Sequence, residues 1–246
     1  MDKFRGQMQA IKELGLEVIT LEEFIAWKKG TAKLPERSIL ITIDDGWKSV
    51  YDEAYPVLKE FGYPFTLFLY QDYVDGNGGL ALESPMIKEM MANGASIGSH
   101  SVTHPYPSTI KKQMAAGANV YERFLSKEFG QSKKFLEKQF SVPVTSYAYP
   151  GGFNTPEMFE AAKNQGYTHQ FTVVPGKVSR DSDDHRLPRY IILGTHDSIF
   201  EKATSFPATS TSAASLGAKV QTTLHPVCPK AGATIADRLP EISVEL

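Results

Sequence analysis

The chain has 246 residues, of which 41% are hydrophobic, so it is long enough to bury the core of an α/β domain. Its formal net charge is -2 and its basic residues form no stripe, so we expect no nucleic-acid partner. No apolar run approaches the roughly 20 residues that cross a membrane, so we expect no transmembrane segment.

The first part of the chain alternates between helix and strand patterns. Thr20 and Glu23 have the spacing of a capping box, which marks the start of a helix. The run from 38 to 43 is almost entirely apolar, as in a strand that is buried on both faces. In chain order, the patterns predict a helix at 4–14, a strand at 17–20, a helix at 21–29, a strand at 38–43, a helix at 50–61 and a strand at 65–70.

The alternation continues to about residue 193. It predicts a helix at 85–93, a strand at 95–98, helix over much of 108–139, a strand at 144–149, a helix from 156 to near 166, and extended segments at 168–174 and 187–193. Such alternation favours a parallel sheet, either open or closed into a barrel. We predict a main domain over 1–200 and a C-terminal extension over 201–246, made of extra strands or an accessory β element.

Polar clusters follow three of the predicted strands, at the end of the sheet where α/β folds place their active sites. Residues 42–46 read Thr-Ile-Asp-Asp-Gly, and an Asp-Gly pair alone is more often an ordinary turn. Adjacent carboxylates at the end of a buried strand repel each other, however, and a bound cation would relieve that repulsion. Residues 148–154 form the third cluster, which by itself reads as a Pro-Gly turn.

The second cluster contains two histidines four residues apart, His100 and His104. A lone histidine is usually structural, but this spacing brings two imidazoles close enough to hold one ion. Two histidines and one aspartate form a ligand set that leaves positions open for water and substrate, as in catalytic metal sites. The single cysteine, Cys228, excludes a cysteine-rich zinc site.

Together these clusters resemble two motifs of the NodB-homology polysaccharide deacetylases, carbohydrate esterase family 4. Residues 42–46 match the family's T-F-D-D-G motif, and residues 100–104 (His-Ser-Val-Thr-His) match its H-[ST]-x-x-H motif. The resemblance covers about residues 4–193. It implies a distorted (β/α)7-type barrel of parallel strands, followed here by the small C-terminal extension.

The resemblance also implies a metal-dependent enzyme that hydrolyses the N-acetyl amide of a sugar. Asp45, His100 and His104 would hold Zn²⁺ or another divalent transition metal, and Asp44 would be the general base. The ion would polarise the amide carbonyl and acidify a water molecule. The third cluster would supply the oxyanion and substrate contacts: Tyr149, Pro150 and Gly151.

The third cluster departs from the usual R-P-P-Y-G motif, because residues 148–152 read Ala-Tyr-Pro-Gly-Gly. The arginine that normally orients the base is therefore absent from this motif. The stretch is closer to the F-A-Y-P-Y-G form of deacetylases that act on poly-N-acetylglucosamine, whose catalytic-acid histidine lies upstream of the region resembled here. For the general acid, His196 is our first candidate and His225 the second; otherwise it is supplied from elsewhere or missing.

The implied substrate is a polysaccharide with N-acetylglucosamine or related amino-sugar units. Among cell-envelope polymers we favour peptidoglycan, and chitin and poly-N-acetylglucosamine stay open. The family implies a periplasmic, cell-envelope or secreted location, although the N terminus reads as an amphipathic helix and not as a signal peptide. No protein partner is inferred. Aromatic residues near the three clusters could stack on sugar rings, although packing is their commoner role: Trp47, Tyr70, Tyr73, Tyr106 and Phe153.

Two other interpretations stay open. The absent motif arginine and the unassigned acid are compatible with a catalytically impaired glycan-binding module. A metal-independent glycoside hydrolase would need two carboxyls about 5–9.5 Å apart across the scissile bond. Asp44 and Asp45 are consecutive in a strand, so their side chains diverge, and this second alternative leaves the histidine pair unexplained.

Overall fold

The computed structural model describes residues 2–194, 197–206 and 242–245. The strands of this part are β1 (Glu17–Ile19), β2 (Ser38–Asp45), β3 (Phe65–Leu69), β4 (Ala95–Ser99), β5 (Ser146–Ala148), β6 (His169–Phe171), β7 (Tyr190–Ile192) and β8 (Ile242–Glu245). The α-helices are α1 (Asp2–Glu13), α2 (Leu21–Lys28), α3 (Tyr55–Phe61), α4 (Ser84–Ala92), α5 (Pro107–Ala115), α6 (Ala118–Leu125), α7 (Ser132–Phe140), α8 (Pro156–Asn164) and α9 (Asp197–Thr204). Two π-helical segments, Val50–Ala54 and Ser126–Gln131, lead directly into α3 and α7.

The strands form one sheet in the order β6-β5-β4-β3-β2-β8-β7, and β1 also pairs with β2. Strands β1 to β6 pair in parallel, while β8 is antiparallel to both β2 and β7. The parallel pairing follows from the alternation of strands and helices, because each crossover helix returns the chain to the same end of the sheet.

The sheet is strongly curled. Phe68 on β3 and Phe171 on β6 are three strands apart, which is roughly 14 Å in a flat sheet, yet their ring centroids are 5.3 Å apart. Gly98 on β4 permits this packing, because a Cβ there would lie 2.3 Å from the Phe68 ring. This curl confirms the predicted distorted barrel of parallel strands.

Alternate side chains of β2 face opposite sides of the curled sheet. Ile39, Ile41 and Ile43 belong to the large core that includes buried side chains of the surrounding helices. Leu40 faces the interior of the curl, where it packs with Phe68 and Phe171. Because side chains alternate along a strand, Thr42 and Asp44 share the interior side with Leu40. The predicted base therefore lies inside the barrel, where Asp44 is buried.

Local signals in the sequence set several element ends. At α2, the Thr20 hydroxyl accepts from the Glu23 N–H at 3.1 Å, and Glu23 accepts from the Thr20 N–H at 2.8 Å. The predicted capping box is thus confirmed. The helical stretch predicted within 108–139 is divided at Gly117, whose φ of 107° no L residue adopts without strain.

The long connection between β6 and β7 is fastened to α2 by one buried lysine. Lys28 Nζ donates to the carbonyl oxygens of Ser179, Arg180 and Ser182 at 3.1, 2.9 and 2.7 Å. It also pairs with Asp184 at 3.1 Å. These contacts fix the path of the chain just before it enters β7.

The predicted extension contributes at least one strand, since β8 lies between β2 and β7. Residues 207–241 lie outside the described residues, and the division at residue 200 stays a prediction. Across the described ranges, we find no helix with the length and apolar character that a bilayer crossing requires.

Candidate active site

The first predicted cluster lies at the C-terminal end of β2. Asp45 has a left-handed φ of 75°, and the next residue, Gly46, has a φ of 92°. A side chain at Gly46 would place its Cβ 2.9 Å from Leu69, so only glycine fits there without a shift. A non-glycine residue keeps such a strained conformation only where the surrounding structure requires it. Here the left-handed conformation turns the Asp45 side chain out of the strand pattern towards β4.

The second cluster is the turn after β4. His100 is buried, and its backbone N–H donates to the Leu69 carbonyl at 2.8 Å. This bond extends the pairing of β3 and β4. Ser101 and His104 have positive φ values of 85° and 51°. The turn is closed by a hydrogen bond of 2.9 Å from the His104 N–H to the Ser101 hydroxyl. It is a tight turn rather than a helix, and it still brings the two imidazoles together, with ring centroids 5.0 Å apart.

Asp45, His100 and His104 converge on one point. Asp45 Oδ1 lies 3.4 Å from His100 Nε2 and 3.3 Å from His104 Nε2. One ligand atom from each of the three residues lies within 4.8 Å of the other two. The set offers two imidazole nitrogens and one carboxylate oxygen, which suits a transition metal with open coordination positions.

A backbone carbonyl of the third cluster determines which ring nitrogen of His100 carries a proton. His100 Nδ1 lies 2.8 Å from the carbonyl oxygen of Ala148, which can only accept, so Nδ1 carries the proton. In the neutral imidazole that binds a metal, Nε2 would then present its lone pair to the Asp45 side. A backbone carbonyl behind the imidazole is a common way to orient a metal ligand.

The Asp45 carboxylate also fits a bound cation. Trp47 Nε1–H donates to Asp45 Oδ2 at 3.2 Å, whereas the buried Oδ1 has no hydrogen-bond partner among the described residues. Burial raises the pKa of Asp45, but the contacts with His100 and His104 outweigh it and hold that pKa well below its ordinary value. A divalent ion would bind the same Asp45 carboxylate, and it would compete with protons for the two imidazoles.

Asp44 is held by an arginine that the sequence analysis did not assign. Arg189, at the entry to β7, donates from Nη1 to Asp44 Oδ1 and from Nη2 to Oδ2, both at 2.8 Å. Its Nε donates to the Thr172 carbonyl at 2.9 Å, and Nη1 also reaches the Thr42 hydroxyl at 3.2 Å. Both members of this two-pronged ion pair are buried. The carboxylate plane is thereby fixed beside the histidine pair, with Asp44 Oδ2 4.0 Å from His100 Nε2.

The absence of an arginine from the third motif therefore does not leave Asp44 without one. The guanidinium comes from a different segment of the chain. The signal was present in the sequence, because Arg189 is a single charged residue in the otherwise apolar run 187–193. A charge in a buried segment needs a partner of opposite sign. Asp44, at the end of the apolar run that forms β2, was a candidate for that partner.

The third cluster borders the site through its backbone. Tyr149 is buried and its hydroxyl donates to Gln170 Oε1, so its side chain belongs to the core. Pro150 is also buried, while Gly151 is exposed with a φ of 57°. The preceding carbonyl, that of Ala148, contacts His100. The assignment of oxyanion and substrate contacts to Tyr149, Pro150 and Gly151 stays a prediction.

Aromatic rings surround the histidine pair. Tyr70 lies 5.3 Å from the His104 ring and stacks on Tyr73 at 5.0 Å, and Tyr73 in turn contacts Trp47 at 5.1 Å. Tyr106 lies 6.3 Å from His104 and its residue surface is 69% exposed. The inner rings pack, whereas Tyr106 presents an apolar face to solvent beside the site.

The candidates for the general acid, His196 and His225, lie outside the described residues. The neighbours of His196 are placed near the start of α1, where Lys3 pairs with Asp197 at 2.6 Å and also donates to the Gly194 carbonyl. The assignment of a general acid therefore stays a prediction.

The family model for polysaccharide deacetylase matches residues 31–169. Two curated relatives are named poly-beta-1,6-N-acetyl-D-glucosamine N-deacetylase. The one from Staphylococcus epidermidis is 30% identical over 195 residues, covering 77% of this chain and 66% of its own. The one from Staphylococcus aureus strain MSSA476 is 29% identical over 194 residues, with the same two coverages. The chain thus spans about two thirds of the length of these relatives.

Two solved structures share the fold. IcaB from Ammonifex degensii has a TM-score of 0.72 and 27% identity, and the match covers 83% of this chain and 89% of that one. The deacetylase PplD from Streptococcus pyogenes, solved with acetate, has a TM-score of 0.73 at 24% identity, covering 84% and 87%. The family match over more than half of the sequence confirms the resemblance seen in the motifs. The chain belongs to the polysaccharide deacetylase family.

Proposed function

We propose that this protein is a metal-dependent hydrolase that removes N-acetyl groups from N-acetylglucosamine units of a polysaccharide. The observation that carries the proposal is the juxtaposition of two groups at the end of the sheet. One is the Asp45, His100 and His104 ligand set, and the other is Asp44, held in one orientation by Arg189. A structural site would have no need of a second, separately oriented carboxylate.

Asp45, His100 and His104 would hold the ion. A divalent ion in that position polarises an amide carbonyl and lowers the pKa of a water molecule from about 15.7 towards 7. Asp44 is the base that accepts the proton of the attacking water. Arg189 occupies one lone pair on each Asp44 oxygen, and each carboxylate oxygen keeps a second lone pair for that proton.

The remaining steps need a donor for the oxyanion and an acid for the departing amine. The Gly151 N–H is our candidate for the first, since Ala148 places this segment against His100. His196 is our first candidate for the acid that protonates the amine, followed by His225. The exposed ring of Tyr106 offers a face on which a sugar can stack beside the ligand set.

For the substrate, the comparisons favour poly-β-1,6-N-acetylglucosamine, because both curated relatives are named for that polymer. Peptidoglycan, the polymer expected from the sequence, has no such support, because neither curated relative is named for it. Because either substrate would be met there, the location that we propose is the periplasm, the cell envelope or outside the cell.

The test is acetate release from defined oligomers, counted by mass spectrometry, with β-1,6-linked N-acetylglucosamine and peptidoglycan fragments offered side by side. We expect each turnover of the wild type to remove one acetyl group from the oligomer. Deacetylation should stop when a chelator removes the metal. Asp44→Asn keeps the size of the side chain but removes the base, so we expect deacetylation to fall at least 100-fold, in line with the usual contribution of a general base.

Four results would contradict the proposal. Full activity of Asp44→Asn would exclude the assigned base, and full activity after metal removal would exclude the assigned cofactor. Binding of glycan and metal without turnover of any acetylated oligomer would instead identify an impaired glycan-binding module. Shortened oligomers that keep all their acetyl groups would identify a glycoside hydrolase.

A further inference from the structure

One buried carboxylate outside the ligand set holds the turn that carries both histidines. Glu128 lies in the π-helical segment Ser126–Gln131 and is 2% exposed. Its Oε2 accepts from the N–H groups of Val102 and Thr103, both at 3.0 Å. Its Oε1 accepts from the Thr103 hydroxyl at 2.9 Å. The bonded residues are two of the three that separate His100 from His104.

The turn needs such support because its backbone is strained. Ser101 and His104 both have positive φ values, which cost a non-glycine residue on the order of 1–3 kcal/mol each. Two consecutive N–H groups that point to one side form a small concave site for an anion. Glu128 occupies that site, so its charge is offset by backbone dipoles.

Glu128 forms no salt bridge with any other described residue. A buried carboxylate without a cation costs stability unless it is hydrogen-bonded, and the bonds from Val102 and Thr103 compensate Glu128. Because those two residues lie between His100 and His104, the same bonds hold the segment that carries both imidazoles. The π-helical turn is a feature that often marks functional sites, and here it carries the residue that reaches the histidine turn.

We propose that Glu128 is a positioning residue for the metal centre, which fixes the His100–His104 turn in the geometry that binds the ion. This inference rests on the proposed metal site. It assigns Glu128 no contact with substrate or ion. Outer groups that orient metal ligands typically change metal affinity by 10–100-fold when removed, and we expect Glu128 to act in that range.

Two variants at Glu128 separate its possible contributions. Glu128→Met keeps the length of the side chain but leaves both N–H groups without an acceptor, so we expect the Kd for zinc to rise about 100-fold. Glu128→Gln keeps one oxygen for the two N–H groups and loses the acceptor for the Thr103 hydroxyl, so we expect a rise of about tenfold. The measurements are zinc competition against a chromophoric chelator and the visible spectrum of the cobalt-loaded protein.

The matched control is Glu137→Gln, further along in α7. Glu137 also accepts a backbone N–H, that of Val144 at 3.1 Å, but the loop it supports carries no ligand. We expect its zinc affinity and cobalt spectrum to equal those of the wild type. Circular dichroism of each metal-free variant establishes that it is folded.

The inference is overturned if folded Glu128→Met binds zinc with the wild-type Kd and gives the wild-type cobalt spectrum. If that variant does not fold, Glu128→Gln decides, and an unchanged Kd and spectrum would again overturn it. A wild type that binds no zinc or cobalt would reject the proposed metal site itself, and this inference with it.

Discussion

At the scale of single residues, the site depends on a few buried charges that compensate one another. Arg189 and Asp44 are both buried and bind through two parallel hydrogen bonds. Such a pair adds little net stability compared with apolar residues, because both charges had to leave water. Its value here is orientation, since a forked pair fixes the plane of the carboxylate that we assign as the base.

This view predicts a specific pattern in a double-mutant cycle. Arg189→Met leaves Asp44 buried without a counter-charge, so we expect unfolding free energy to fall by about 3–5 kcal/mol. Adding Asp44→Asn removes the stranded charge, so the double variant should be more stable than Arg189→Met alone. Urea unfolding of the four proteins measures the cycle.

The control is the exposed pair of Arg5 and Glu60, which are 2.7 Å apart. Arg5→Met should change stability by less than about 1 kcal/mol, because surface pairs are screened by water. If Arg189→Met were no more costly than Arg5→Met, Arg189 would not be compensating a buried charge.

At the scale of elements, the local sequence pattern predicted those strands and helix ends that depend on neighbouring residues alone. The apolar run before Asp44 predicted β2, and Thr20 with Glu23 predicted the start of α2. The strand–helix alternation also predicted that the ligand residues of two separate segments would meet, because parallel strands end at the same edge of the sheet. The π-helical segments had no signal in the spacing of apolar residues.

The contact between Arg189 and Asp44 could not be placed by local pattern. Those residues are 145 positions apart, and their meeting depends on the curl of the sheet. The lone arginine in an apolar strand indicated only that some acidic partner must exist. Which partner it takes follows from the fold and not from neighbouring sequence.

Strand β6 carries a buried ionisable group that makes stability depend on pH. His169 is buried, and its Nε2 lacks a hydrogen-bond partner among the described residues. Burial, aided by Lys29 and Lys28 and opposed by Asp184, lowers the pKa of His169 to about 4. The unfolded chain therefore binds this proton more readily than the folded chain does.

We predict the sign and size of the effect from that difference. The folded state loses up to about 3 kcal/mol of stability as pH falls from about 6.5 to 4, because only the unfolded chain binds the proton in that range. Above pH 6.5 the histidine is neutral in both states and this loss is absent. His169→Phe removes the ionisable group and keeps a ring against Phe24, whose ring centroid is 6.1 Å away. Unfolding free energy measured at pH 7 and pH 5 should therefore fall less in the variant than in the wild type. Equal pH slopes in both proteins would show that His169 is not kept neutral in the fold.

At the scale of the whole molecule, the site exists only when the curled sheet is complete. Its parts come from β2, the turn after β4, the end of β5 and the entry to β7. Each part is held by another, as when the Ala148 carbonyl orients His100 and Arg189 orients Asp44. The ligand set lies where the parallel strands β2 and β4 end, and it is the point on which the proposed chemistry depends.

The most direct test of that ligand set is anomalous X-ray diffraction at the zinc edge from crystals of the protein grown with zinc. We expect one strong peak at a coordination distance of about 2.0–2.2 Å from one Asp45 oxygen and from Nε2 of His100 and His104. Density without a zinc peak at that point, or with those three side chains pointing apart, would contradict it.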